Sequence, residues 1–225
     1  MRNRFDQQLY ELDRELIEMG SMCEEVIASA AKALSTGDME LARKVMESGA
    51  SIDQLERDIE SRCMKLLLHQ QPVARDLRLI SAALKMITDM ERIGDQAEDI
   101  AEIVTFLDGH TMDEMKLITD MARETVGLVT ASVDAFVKSD LELSRKVIDS
   151  DDLVDAAFNE IKEKIAELVQ GGNLDVKTGL DLLMAAKYLE RIGDHAVNIA
   201  EWVEYSITGE HRNNEHQGRL DARES

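Results

Sequence analysis

The chain has 225 residues, with 46 acids against 26 bases for a formal charge of −20, and 44% of it is hydrophobic. That is enough length and apolar content for one or two packed domains and excludes global disorder. The acidic balance repels nucleic-acid backbones and anionic lipid, so the expected partners are cations and basic protein surfaces.

Aromatics make up 4% of the chain and proline occurs once, which argues for helices and against a strand-rich domain. Residues 1–11 are charged and lack the apolar centre of a secretion signal. Apolar residues then recur at helical spacing along most of the chain. The first predicted helix covers 6–35 and stops at Gly37, with Asp38 as the N-cap of a second, 39–69. Pro72 turns the chain into a third, 76–107. Gly109 and the capping box Thr111-Met112-Asp113-Glu114 open a fourth, 112–138. Ser139-Asp140 repeats the earlier cap and starts a fifth, 141–170. Gly171-Gly172-Asn173 closes it before a sixth, 175–207, and the polar stretch 208–225 reads as a mobile tail. No apolar run approaches the roughly 20 residues that span a bilayer. Cys23 and Cys63 fall inside helical patterns without CxxC spacing and read as free buried thiols of a reducing, cytoplasmic setting.

The chain is internally duplicated. Residues 38–48 recur at 140–150, and residues 91–102 recur at 190–201 with nine of twelve positions identical. The two offsets differ by three residues, a difference that falls in the turn containing Pro72. The expected fold is therefore all-α: two tandem, similar three-helix bundles of long antiparallel helices, 1–108 and 109–207, followed by the tail 208–225.

The repeated segment carries the chemistry. Glu91, Asp95 and Asp99 lie at i, i+4 and i+8 on one helix face, and the second copy sets Glu190, Asp194 and Asn198 likewise. Leu77, Ile80, Leu84 and Ile87 lead into Glu91 and Asp95 on the same side, so an apolar stripe turns acidic near an inter-helix groove. Met90, Ile93, Ala97, Ile100 and Val104 form a second apolar stripe opposite. The neighbouring second helix offers Asp53, matched by Asp155, at the edge of the Ile52-Leu55-Ile59-Cys63-Leu66 stripe, whereas Glu56 and Glu60 become Phe158 and Lys162. Hard carboxylate oxygens suit magnesium, calcium, manganese or iron, with zinc also accommodated. The alternative is that Arg92 and Arg191 pair with Asp95 and Asp194 as surface ion pairs worth about 0.3–0.5 kcal/mol. Gly94 and Gly193 sit mid-helix at a cost of about 1 kcal/mol each, explained by close approach of another helix or of a ligand shell.

No nucleotide-binding loop, HExxH or nucleophile elbow is present, and no histidine follows a glutamate at Glu-x-x-His spacing. His195 is expected on the surface. No catalytic residue and no organic cofactor are assigned.

The doubled Glu-Arg-Ile-Gly-Asp segment, with 70–78 before the third helix, Lys85, 89–95, and the second-copy run 188–199, resembles the PhoU family of phosphate-transport regulators. The resemblance covers roughly residues 5–207. It implies a cytoplasmic homodimer of two three-helix bundles that binds metal through Glu/Asp-x-x-x-Asp motifs, here Glu91 with Asp95 and Glu190 with Asp194, faced by Asp53 and Asp155. It also implies negative regulation of phosphate uptake and of the two-component starvation response, through contacts with the ATPase of a phosphate ABC transporter and a sensor histidine kinase. Membranes would be reached only through those partners. Asp99 departs from the family pattern, which has the asparagine seen at Asn198, and would strengthen or unbalance the first site. Two rival readings are a metal-dependent carboxylate-bundle enzyme, such as a phosphohydrolase or oxidase, and a chaperone-like helical scaffold.

Overall fold

A computed structural model describes residues 2–70, 73–108 and 115–210. Among them all regular secondary structure is helical: α1 Arg2–Thr36, α2 Met39–Gln70, α3 Ala74–Phe106, α4 Met115–Lys138, α5 Leu141–Ile148, α6 Asp151–Gln170 and α7 Val176–Thr208. The first bundle is α1–α3 and the second α4–α7. Pro72, Gly109, the capping box at 111–114 and residues 211–225 of the expected tail lie outside the described residues.

Turn chemistry follows the repeats. Gly37 takes φ +67°, and Asp38 Oδ1 accepts from the backbone N–H groups of Glu40 (3.1 Å) and Leu41 (2.9 Å). Asp140 caps α5 in the same way, accepting from Leu143 N–H at 3.0 Å. Its preceding residue, Ser139, enters the left-handed region at φ +50° without glycine's freedom to do so. Gly172 takes φ +71° at the end of α6, and Asp175 caps α7 by accepting from Thr178 N–H at 3.1 Å.

The fifth expected helix, 141–170, is interrupted at Asp149–Ser150. Ser150 Oγ donates to the Lys146 carbonyl at 2.6 Å, the acceptor that its own N–H would use in a regular helix. The N–H turns instead to Val147 O at 3.0 Å, three residues back, and the turn tightens. The short α5 is then fixed to α7 by Ser144 Oγ donating to Ala200 O (2.7 Å) and by Arg145 Nε on Glu204 Oε1 (2.8 Å).

The repeats share one continuous core, in which Leu16, Ile27 and Met90 of the first bundle and Val129, Ile192 and Ile199 of the second are all buried. At its centre α3 and α7 run antiparallel: Arg78 lies beside Gly209, Lys85 beside Trp202 and Asp89 beside Asn198. Each glycine expected mid-helix marks a close crossing. A Cβ on Gly94 would come within 2.9 Å of Ile52 Cδ1 in α2, and one on Gly193 within 3.1 Å of Val154 Cγ1 in α6. Ile52 and Val154 are themselves repeat-related, and they directly precede Asp53 and Asp155 in the chain. Cys23 and Cys63 are free and buried, and burial pushes both thiols up to about 12, leaving them inert packing residues.

Candidate metal centre

α2 contributes Asp53 and α3 contributes Glu91 and Asp95. Close packing at Gly94 draws the two helices together just where these side chains project, and the three carboxylates offer oxygens that all lie within 4.8 Å of one another. A hard cation holds its oxygen donors at about 2.0–2.6 Å, so donors on one ion lie no more than roughly 5 Å apart. The spacing fits.

Electrostatics point the same way. Burial, then the charges of Asp95, Glu56 and Asp53, push the Glu91 carboxyl above the ordinary range, against the opposing pull of Arg92. Burial and then Asp53 raise Asp95, while burial, Glu60 and Asp53 raise Glu56. Glu98 is raised by burial and then by Asp95, Asp53 and Asp99. Nearby cations are sparse by comparison: Arg57 reaches Asp53 only at 3.9 Å and is largely exposed. Glu98 also occupies a place that glycine keeps open, for a Cβ on Gly49 would lie 1.3 Å from Glu98 Oε1. The donor set and its surplus of negative charge fit a hard divalent or trivalent cation.

Asp99 and Asn198 are not brought into these sets. Both face across the α3–α7 seam. Asp99 is hydrogen-bonded by Tyr188 and lies near Arg191, both of which oppose the rise that burial, Glu102 and Asp95 impose on it. Asn198 Nδ2 donates to Asp89 Oδ1 at 3.4 Å. Tyr188 and Asp89 are repeat-related, as are Asp99 and Asn198, so the seam carries one polar contact and its counterpart. Arg191 therefore serves Asp99 in addition to any role beside Asp194.

His195 is not the surface histidine expected from sequence. Its Nδ1 lies 2.9 Å from Asp89 Oδ1 and its side chain is mostly buried. Asp89 and His195 are the polar pair that sequence reasoning missed. The available signal was an aspartate beside the apolar positions Met86, Met90 and Ile93 of α3, all buried here.

The second repeat keeps Asp155, Glu190 and Asp194, but among the described residues they do not form a carboxylate trio like the first. Glu190 is buried and paired with the ammonium of Lys187. That ammonium also lies 5.3 Å from the ring centroid of Phe158.

The PhoU domain family matches residues 16–104 and 118–203. A phosphate-specific transport system accessory protein PhoU homolog of Clostridium acetobutylicum is 36% identical over 210 residues, covering 92% of this chain and 96% of the relative. The crystal structure of PhoU from Pseudomonas aeruginosa superimposes with a TM-score of 0.86 at 32% identity, covering 92% of this chain and all of that one. The crystal structure of the phosphate transport system regulatory protein PhoU from Streptococcus pneumoniae gives 0.85 at 25% identity, covering 93% and 99%.

Proposed function

The chain belongs to the PhoU family, and on that premise we propose that it is a cytoplasmic accessory protein of a phosphate-specific transport system that restrains uptake and the phosphate-starvation response without catalysing a reaction. The match of the family to both halves of the chain, at high coverage of the relatives, is the observation that carries this reading. Its expected partners are the transporter's ATPase and the sensor histidine kinase, met as a homodimer. With a formal charge of −20, docking would be on basic surfaces, and encounter would be accelerated by attraction and weakened by salt.

Asp53, Glu91 and Asp95 would hold the cation, which when bound would offset part of the trio's negative charge and hold α2 against α3. The side chains themselves set the geometry of this face. Gly94 fixes helix spacing, and Gly49 leaves Glu98 room beside the trio. No helix among the described residues is long and apolar enough to cross a membrane, so a membrane complex would be reached through protein partners.

Two experiments test the reading. Deleting the gene should switch on phosphate-starvation genes in rich phosphate; unchanged expression would count against the regulatory role. Pull-down of the transporter ATPase and the histidine kinase, with and without chelator, then asks whether the cation matters. Capture that is lost on chelation supports it, and capture unaffected by chelation removes the cation from the docking mechanism.

A further inference from the structure

The two acidic grooves of this chain are related by sequence but not by charge. Asp53, Glu91 and Asp95 are retained as Asp155, Glu190 and Asp194. Around them Glu56, Arg57, Glu60, Thr88 and Glu98 become Phe158, Asn159, Lys162, Lys187 and Val197. Six carboxylates and one arginine give the first groove a formal charge of −5, whereas three carboxylates and two lysines give the second −1.

The position of Lys187 gives this difference a structural meaning. Its counterpart Thr88, whose hydroxyl donates to the Leu84 carbonyl at 3.4 Å, also lies close enough to Glu56 to oppose the rise of that carboxyl, so side chains at this position border the groove between the paired helices. Lys187 follows the same course. Its ammonium contacts Glu190, the counterpart of Glu91, and lies over Phe158, the counterpart of Glu56. It therefore sits between the two positions that, in the first repeat, press negative charge on one another. Lys162 adds a second ammonium 5.7 Å from the same ring, where the first repeat has Glu60.

We propose that Lys187 is a tethered cation that fills the second groove, so that an external metal ion is taken only by the first. This rests on the cation reading of Asp53, Glu91 and Asp95 and adds which half of the molecule is loaded and what excludes metal from the other. The tethered charge is part of the chain, whereas the first groove has its −5 charge partly offset only when metal is bound. The two repeats thus differ in function: α6–α7 is a permanently closed reference, and α2–α3 is the half whose charge responds to the cation. An ammonium and a divalent ion compete for the groove, because close approach of like charges lowers the affinity for each.

The test is Mn²⁺ binding to the full chain, counted by equilibrium dialysis with electron paramagnetic resonance of free Mn²⁺, and with helicity checked for every variant. Asp95 and Asp194 are both exposed, which makes their amide replacements tolerable to the fold. Asp95→Asn should abolish tight binding and Asp194→Asn should leave it within about twofold. Thr88→Lys should lower affinity at least tenfold by copying the tethered charge into the first groove. The double variant Lys187→Thr with Phe158→Glu should gain a second locus that Asp194→Asn then removes. Equal loss from Asp95→Asn and Asp194→Asn would overturn the proposal while leaving metal binding intact. A wild-type chain that binds no Mn²⁺ would overturn both this proposal and the cation reading beneath it.

Discussion

His195 Nδ1 lies 2.9 Å from Asp89 Oδ1, which joins the second repeat to the first through two mostly buried side chains. Asn198 of the same helix turns toward the same oxygen. A carboxylate in this position keeps its partners in register along α3 and α7 as long as its hydrogen bonds are made. Asp89→Ala strips both contacts at once and leaves the mostly buried His195 ring without its carboxylate partner. It should lower stability by about 1–3 kcal/mol in urea unfolding. Unchanged stability would show that the seam is held by its apolar contacts alone.

Much of this architecture was legible in the sequence because period and punctuation agreed. The duplication, the caps at Asp38 and Asp140 and the glycines at 94 and 193 each follow from local chemistry that a single chain displays. The break at Asp149–Ser150 was not legible, since Ser48 occupies the same repeat position within an unbroken α2. Helical spacing placed Glu91 and Asp95 together, the repeat singled out Asp53 on the neighbouring helix, and the family resemblance made it their facing partner. It also put Asp99 in that row, but eight residues of helix turn the side chain far enough to meet Tyr188 of α7 instead. His195 was misplaced for a related reason: a polar residue's burial depends on a partner, and Asp89 lies 106 residues away.

Ser139 holds φ +50° where the first repeat uses Gly37 at φ +67°. A β-carbon in that region costs about 1 kcal/mol or more. Ser139→Gly should therefore stabilise the protein by about 0.5–1 kcal/mol, read as a higher denaturation midpoint with an unchanged slope. A loss of stability would mean that added freedom in the unfolded chain outweighs the relieved strain.

Burial pushes the Asp13 carboxyl up to about 6. The folded state then holds its proton more tightly than the unfolded state. The group imposes no penalty below the ordinary value near 4, and stability falls as pH rises from there through about 6. Asp13→Asn cannot ionise, so it should stabilise the protein at pH 7.5 by about 1 kcal/mol, solvent screening of the half-buried group being allowed for, and hardly at all at pH 4. Equal effects at both pH values would refute the assignment.

Glu56, Glu91, Asp95 and Glu98 are raised in the same direction, so their mutual repulsion also grows as pH climbs above the ordinary carboxylate range. Protons and metal compete for these oxygens. Added Mn²⁺ should raise the melting temperature clearly at pH 7.5 and much less at pH 4.5, and Asp95→Asn should erase the difference. A shift that is independent of pH would place the ion elsewhere.

Gly94 sets the distance between Asp53 and its partners. Gly94→Ala puts a methyl group 2.9 Å from Ile52 Cδ1 and should push α2 outward, lowering Mn²⁺ affinity about tenfold. Ile52→Val removes that δ-carbon and should restore much of the loss in the double variant. Additive losses would show that helix spacing does not control the trio.

The most direct measurement is anomalous diffraction from crystals grown with Mn²⁺, recorded on both sides of the manganese absorption edge. A peak flanked by the carboxylates of Asp53, Glu91 and Asp95, with none between Glu190 and Asp155, is the expected result. Density at neither groove, or only beside Glu190, would contradict the view that the first repeat is the cation-loaded half of this regulator.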